Sequence, residues 1–459
     1  MEQITKPHCG ARLDRLPDCR WHSSMFAIVA FGLLVCWSNA VGGLILAQLK
    51  ALGWTDNSTT ATFSAITTAR MFLGALVGGI IGDKTGRRNA FILYEAIHIA
   101  SMVVGAFSPN MDFLIACRFV MGVGLGALLV TLFAGFTEYM PGRNRGTWSS
   151  RVSFIGNWSY PLCSLIAMGL TPLISAEWNW RVQLLIPAIL SLIATALAWR
   201  YFPESPRWLE SRGRYQEAEK VMRSIEEGVI RQTGKPLPPV VIADDGKAPQ
   251  AVPYSALLTG VLLKRVILGS CVLIAMNVVQ YTLINWLPTI FMTQGINLKD
   301  SIVLNTMSMF GAPFGIFIAM LVMDKIPRKT MGVGLLILIA VLGYIYSLQT
   351  SMLLITLIGF FLITFVYMYV CYASAVYVPE IWPTEAKLRG SGLANAVGRI
   401  SGIAAPYAVA VLLSSYGVTG VFILLGAVSI VVAIAIATIG IETKGVSVES
   451  LSIDAVANK

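Results

Sequence analysis

Residues 79–88 read GIIGDKTGRR, and the chain repeats the pattern at 323–329 as MDKIPRK, so that Asp324-Lys325 follows Asp83-Lys84 at an offset of 241. Two more landmarks recur in the same order. Glu138, with Pro141 and Arg145-Gly146 after it, is echoed by Glu380, Pro383 and Arg389-Gly390, at offsets of 242 for the glutamate and 244 for the arginine. Pro203-Glu204-Ser205 is echoed by Ile441-Glu442-Thr443 at an offset of 238. Three charged landmarks in one order at nearly one spacing describe a duplicated chain, a common construction of membrane carriers.

Outward from these landmarks the sequence is apolar. Stretches of about 20 residues, long enough to cross a bilayer, lie at 25–48, 62–82, 89–107, 111–134, 153–174, 182–202, 263–289, 301–323, 331–348, 352–378, 391–413 and 419–441. The fold class is therefore an all-α polytopic membrane protein, twelve transmembrane helices in two six-helix bundles. The expected parts are a tail (1–24), a first bundle (25–202), a hydrophilic connection (203–262), a second bundle (263–441) and a tail (442–459). Within the connection, Ala218, Val221, Met222 and Ile225 recur at helical spacing among charges, which predicts an amphipathic helix over 214–228. The Pro-, Gly- and Asp-rich stretch 234–253 reads as a linker.

Composition and charge agree with a membrane location. Of 459 residues, 56% are hydrophobic and 13% charged, against about 25% charged in soluble domains, and mean hydropathy is +0.71. With the N-terminus inside, and residues at span ends counted with their loops, the cytoplasmic segments hold 28 Lys and Arg and the outer loops three, Lys50, Arg181 and Lys299. That bias places both termini in the cytoplasm. It also accounts for the net charge of +10 without a nucleic-acid partner. The seven cysteines are scattered and read as small core residues, no metal site or cofactor is expected, and the polar first 24 residues are not a cleavable signal.

The motifs resemble those of the major facilitator superfamily, its sugar-porter-like branch in particular. GIIGDKTGRR (79–88) is similar to the superfamily's loop between helices two and three, RFVMGVGLG (118–126) to its helix-four motif, PESPRWLESRGRYQEA (203–218) to the branch's signature after helix six, and IETKG (441–445) to its C-terminal motif. The resemblance implies a bacterial inner-membrane metabolite transporter in which Asp83 faces the start of span eleven near Gly390 when the cytoplasmic side is closed. It also implies conformational gating by charged clusters: Asp83, Arg87, Arg88, Glu138, Arg145 and Glu204 in one half, and Asp324, Glu380, Arg389 and Glu442 in the other.

Inside the spans, ionisable and amide side chains are the candidate substrate contacts, because each is expensive in lipid. Arg118 opens the helix-four motif. Its partner in proton-coupled sugar porters is an aspartate of helix one, and the alignment of CWSNAV (36–41) puts Ser38 there, with Asn39 beside it. That substitution argues against simple proton symport through this position and suits an anionic hydroxylated substrate. Arg70 lies four residues before Gly74, on the stripe of Gly74, Gly78 and Gly82 where a small residue would be expected, and is assigned to the central cavity. Asn157, Asn277, Gln280, Asn285 and Asn395 supply donors and acceptors for hydroxyl groups, with Trp37, Tyr369 and Tyr372 as aromatic walls. The branch's glutamine pair is absent, Met276 and Tyr281 standing at those places. Glu95 and His98, one turn apart, are either a proton relay or a structural contact.

These readings favour a secondary active or facilitative transporter moving a sugar, sugar acid or related organic acid by alternating access. An organic or aromatic acid carrier is the alternative within that class. A transporter-like nutrient sensor would need a long signalling tail, and 14 residues follow Gly445. An enzyme would need clustered His, Asp or Cys, and the three histidines are His8, His22 and His98. No G-x-x-x-x-G-K-[ST] sequence is present, so the energy source is a gradient. The expected partners are a small polar substrate, a coupling proton as a candidate, and the lipid bilayer around a monomer.

Overall fold

The computed structural model describes residues 7–17, 19–35, 40–140, 145–240, 253–323, 325–382 and 386–443, with the backbone alone at 133, 134, 137, 145, 146, 387 and 388. Among them secondary structure is helical throughout. The architecture is twelve membrane-crossing helices. Nine described helices are long and apolar enough to cross, and one of these, Lys387–Ile439, turns at Gly417 (φ 64°) and so supplies spans eleven and twelve. Span one is described over Arg20–Val35 and Gly42–Ala51, its residues 36–39 lying outside the described ones, and span five is in two pieces, Arg145–Asn157 with Ser159–Leu170. Below, the tail side means the span ends joined by the loops at 83–88 and 324–329, and the far side the opposite ends.

By packing, the chain forms two compact units. The first holds 1–39, 70–159 and 184–246; the second holds 40–69, 160–183 and 247–459. Exposed apolar side chains such as Leu192 and Ile193 on span six and Val431 on span twelve present the faces expected toward lipid.

In the first unit, span two (Asn57–Thr85) crosses span four (Met111–Tyr139) at backbone contact. A Cβ on Gly74 would overlap the Val123 carbonyl, one on Gly78 would meet Ala127, and one on Gly126 would overlap the Met71 carbonyl. Small residues on both helices permit that approach, as is general between helices in lipid. The second unit repeats the device, with Gly311 and Gly315 of span eight laid on Phe360 and Thr364 of span ten (Met352–Cys371). Span ten then loosens into a π-turn over Tyr372–Tyr377.

The connection after span six folds back onto the first unit. Ser205 caps the helix Pro206–Ser211, accepting from Trp208 N at 3.2 Å. The amphipathic helix spans Tyr215–Thr233, longer than the 214–228 expected, and stops where Gly234 takes a left-handed conformation. It buries Ala218, Met222, Ile225 and Val229. Cys9, Leu13 and Leu16, from a tail that sequence reading treats as merely polar, complete this core together with Trp208 and Leu209.

Candidate functional site

On the tail side of the first unit the charged motifs form one knot. Arg87 begins span three, and the Glu204 carboxylate caps that helix, accepting from Arg87 N (2.7 Å), Arg88 N (3.3 Å) and Ser205 N (2.9 Å). The Arg87 side chain donates Nε to Glu138 Oε1 (2.9 Å) and Nη1 to Asp83 Oδ1 (2.7 Å) and Gly82 O (3.0 Å). Tyr139 OH donates to Pro203 O at 2.5 Å. Trp208 Nε1 and Arg212 Nη2 both donate to Asp83 O, at 2.7 and 2.6 Å, which explains the tryptophan of PESPRWL. Arg88 reaches instead to Trp199 O at 2.6 Å.

The second unit contains the duplicate. Glu442 caps span nine (Arg328–Ser347), accepting from Arg328 N at 2.8 Å and Lys329 N at 3.1 Å. Arg328 holds Glu380 with two parallel bonds of 3.0 Å and also donates to the Met323 carbonyl. Thr443 Oγ1 donates to Glu380 Oε2 at 2.6 Å, and Tyr377 OH donates to Ile441 O at 3.0 Å. Two-point arginine–carboxylate contacts fix geometry as well as charge.

Sequence reading assigns Glu138, Glu204, Glu380 and Glu442 to ion-pair clusters and Asp83 to the start of span eleven. Glu204 and Glu442 act as helix caps, a role that favours an anion through the open N–H groups and dipole of a helix start. The hub residues missed are Arg328, Tyr139 and Tyr377. The offset between Arg87 and Arg328, 241, was available to find the first of them. The two tyrosines are offset by 238, matching Pro203 and Ile441 rather than the neighbouring glutamates. Arg389 lies over the Tyr254 ring at 5.2 Å. Asn39, Asp324 and Trp37 fall outside the described residues, as does the Arg145 side chain.

Deeper in the first unit, Arg118 and Arg70 are 1% and 2% exposed. Arg70 is not held in an open cavity as expected. Its stem lies across Gly122 of span four, where a Cβ would overlap it, and Nη1 donates to the Arg118 carbonyl. An arginine four residues from Gly74 inherits the packing face of that stripe. Glu95 and His98 are fully buried with Nδ1 3.5 Å from Oε2, a contact closed to solvent. Asn157 turns its amide back to Ser153 O at 2.8 Å.

In the second unit, spans two, seven (Gly260–Thr293) and eleven meet around Gly402, whose neighbours are Thr68, Asn277 and Tyr281. Asn277 donates to Leu273 O at 2.7 Å. Gln280 and Tyr281 neighbour the buried Tyr367 hydroxyl, and the Tyr367 ring meets Tyr160 of span five edge-on with centroids 5.5 Å apart. Asn285 Nδ2, Thr68 Oγ1 and Thr282 Oγ1 are buried with no partner among the described residues. Toward the far side, Gly43 of span one sits on the backbone of Ile284 and Asn285, Asn305 Nδ2 donates to Ser164 Oγ at 3.0 Å, and Asn57 Nδ2 donates to Ser414 Oγ at 2.8 Å. Asn395 stands apart, exposed and bonded to Ser391 O at 2.9 Å. Tyr369 and Tyr372 are not cavity walls: both are buried, Tyr369 OH on Val272 O at 3.1 Å and Tyr372 stacked on Tyr377.

The family model of the Major Facilitator Superfamily matches residues 26–406. The inner membrane metabolite transport protein YdjE of Escherichia coli (strain K12) is 44% identical over 98% of this chain and 99% of its own. The putative metabolite transport protein YyaJ of Bacillus subtilis (strain 168) is 30% identical over 93% and 94%. Among solved structures, the inward open conformation of the xylose transporter XylE from E. coli superposes with a TM-score of 0.74 at 16% identity, over 94% of this chain and 99% of that one.

Proposed function

The chain belongs to the major facilitator superfamily and is a multi-pass inner-membrane transporter, not an enzyme, moving a small metabolite; from that premise we propose that its cargo is a small hydroxylated acid, of the sugar-acid or related organic-acid class. The observation that carries this reading is the set of buried polar atoms in the second unit, Asn285 Nδ2, Thr68 Oγ1 and Thr282 Oγ1, which no described protein group takes up. Unpaired buried polar atoms cost about 1–3 kcal/mol each, so a hydroxyl-rich ligand is the natural partner. Asn277 and Gln280 extend the same set along span seven. The acid assignment rests on the family resemblance of RFVMGVGLG (118–126), in which Arg118 is the candidate anion contact.

Both termini face the cytoplasm in this reading, on the Lys and Arg bias of the loops, so the tail side is cytoplasmic and the far side periplasmic. The contacts of Asn57, Asn305 and Gly43 then form a periplasmic seal, and the Arg87 and Arg328 knots stiffen each half for alternating access. Asp83, near the start of span eleven when the cytoplasmic side shuts, provides the complementary latch. The working unit is a monomer.

Uptake by purified protein in liposomes tests the cargo, using labelled sugars, sugar acids and aromatic acids at two pH values, with and without a proton gradient. Saturable uptake of sugar acids, with sugars at least tenfold weaker, is expected. Preference for neutral hexoses would overturn the acid assignment, and preference for aromatic acids would move the cargo to the other acid class. Gradient-stimulated uptake identifies proton coupling.

A further inference from the structure

The first unit contains a cleft of about 610 Å³ between the end of span six (Ala176–Tyr201) and the amphipathic helix, lined by Arg88, Tyr201, Glu204, Arg214, Glu217 and Lys220 around a floor that includes Trp21, Val221 and Ile225. Its carboxylates are already committed. Glu204 caps span three, and Glu217 is taken by Arg214 through bonds of 2.8 and 2.5 Å. Two cations remain. Arg88 spends Nη2 on Trp199 O, while its buried Nε has no acceptor among the described residues. Lys220 makes no ion pair among them. The cleft's unbalanced charge is positive, and its volume falls in the range of small-ligand sites, about 300–1,000 Å³.

What adjoins the cleft identifies the ligand's other end. Trp199 and Tyr201, 66% and 59% exposed, stand at the end of span six, the amphipathic aromatics that mark the headgroup level of a bilayer. Below them Ile193, Leu192 and Ile189 form an exposed apolar strip along the same span. A ligand suited to the whole feature has an anionic head of one or two oxygens for Arg88 and Lys220 and a hydrocarbon body that runs down span six. A free phosphate matches the first half of this description only.

We propose that the cleft binds the phosphodiester headgroup of an anionic phospholipid, phosphatidylglycerol being the simplest, with its acyl chains on the outer face of span six. The assignment to the inner leaflet rests on the cytoplasmic orientation given above. Basic clefts beside the cytoplasmic ends of spans attract anionic lipid with about 1 kcal/mol per cation, which is roughly fivefold in affinity.

Native mass spectrometry of the full chain in mixed micelles tests this, titrating phosphatidylglycerol against phosphatidylcholine, with inorganic phosphate and glycerol phosphate as competitors. Phosphatidylglycerol should bind several-fold more tightly, Lys220→Gln should weaken it about fivefold, and Lys235→Gln, outside the cleft lining, should leave it unchanged. Equal binding of the two lipids, or no change in Lys220→Gln, would overturn the proposal. Full displacement by inorganic phosphate would also overturn it and reassign the cleft to a soluble phosphate. Micelles carry no sidedness, so orientation is read separately: in intact spheroplasts an impermeant amine reagent should leave Lys220 unlabelled, judged against Lys220→Gln, and labelling of Lys220 would overturn the inner-leaflet assignment.

Discussion

At Gly86 a backbone requirement and a charge requirement coincide. Its φ of 98° suits glycine, and a Cβ there would overlap the Glu204 carboxylate that caps span three. Gly86→Ala should therefore displace the cap and strain the turn together, costing about 2 kcal/mol or more. A lower melting temperature in detergent, matched by Glu204→Ala and not additive with it, is the expected result; additive losses would separate the two effects. Arg118 carries a different prediction. Arg118→Gln should reduce binding of sugar acids at least tenfold with little effect on neutral sugars, measured by thermal shift on folded protein. Equal loss for both would make Arg118 a packing residue.

Among the elements, the N-terminal helix Cys9–Asp14 is the least expected. Arg12 pairs with Glu219 and, at 2.7 Å, with Glu226; Arg15 reaches Glu226 at 2.6 Å; and Arg207 reaches Asp14 at 2.9 Å. Burial pushes the Glu226 carboxyl up, but the bonds from Arg12 and Arg15 outweigh it and hold it below its ordinary 4.5. A depressed carboxylate stabilises the docked tail above that value and loses its contribution as pH falls through the lowered one. Amide exchange over residues 9–16, taken relative to an unstructured peptide at each pH, should thus be strongly protected at pH 7 and lose protection as the pH falls below 4.5; constant protection would mean the ion pairs do not hold the helix. Cys9 is fully buried in that docked helix, and burial pushes its thiol up to about 12, so as the one retained cysteine it should resist maleimide at pH 7 and react in Arg12→Ala, where loss of the pairs to Glu219 and Glu226 undocks the helix. The sequence disclosed the amphipathic helix through its spacing but not its partner: Cys9, Leu13 and Leu16 are three apolar residues in a polar tail, too few for a periodic signal.

For the whole molecule, the duplicated landmarks were legible because charged residues are rare among apolar spans, and each recurrence stands out against that background. The twelve spans followed from length and hydropathy alone. What stayed hidden depends on contacts between distant segments: Glu204 as a cap rather than an ion-pair partner, and Arg70 against Gly122. The candidate substrate residues were chosen as a class, amides and an arginine within lipid, while the meeting of Thr68, Asn277 and Tyr281 around Gly402 needed span eleven to reach spans two and seven. An alternating carrier must part its far-side ends once in every cycle, and Asn57 and Ser414, 2.8 Å apart across the far-side ends of spans two and eleven, are in contact there. With both replaced by cysteine in a background free of other cysteines, oxidative cross-linking should stop counterflow of the preferred acid in liposomes, and reductant should restore it. Undiminished transport by fully cross-linked protein would contradict the account.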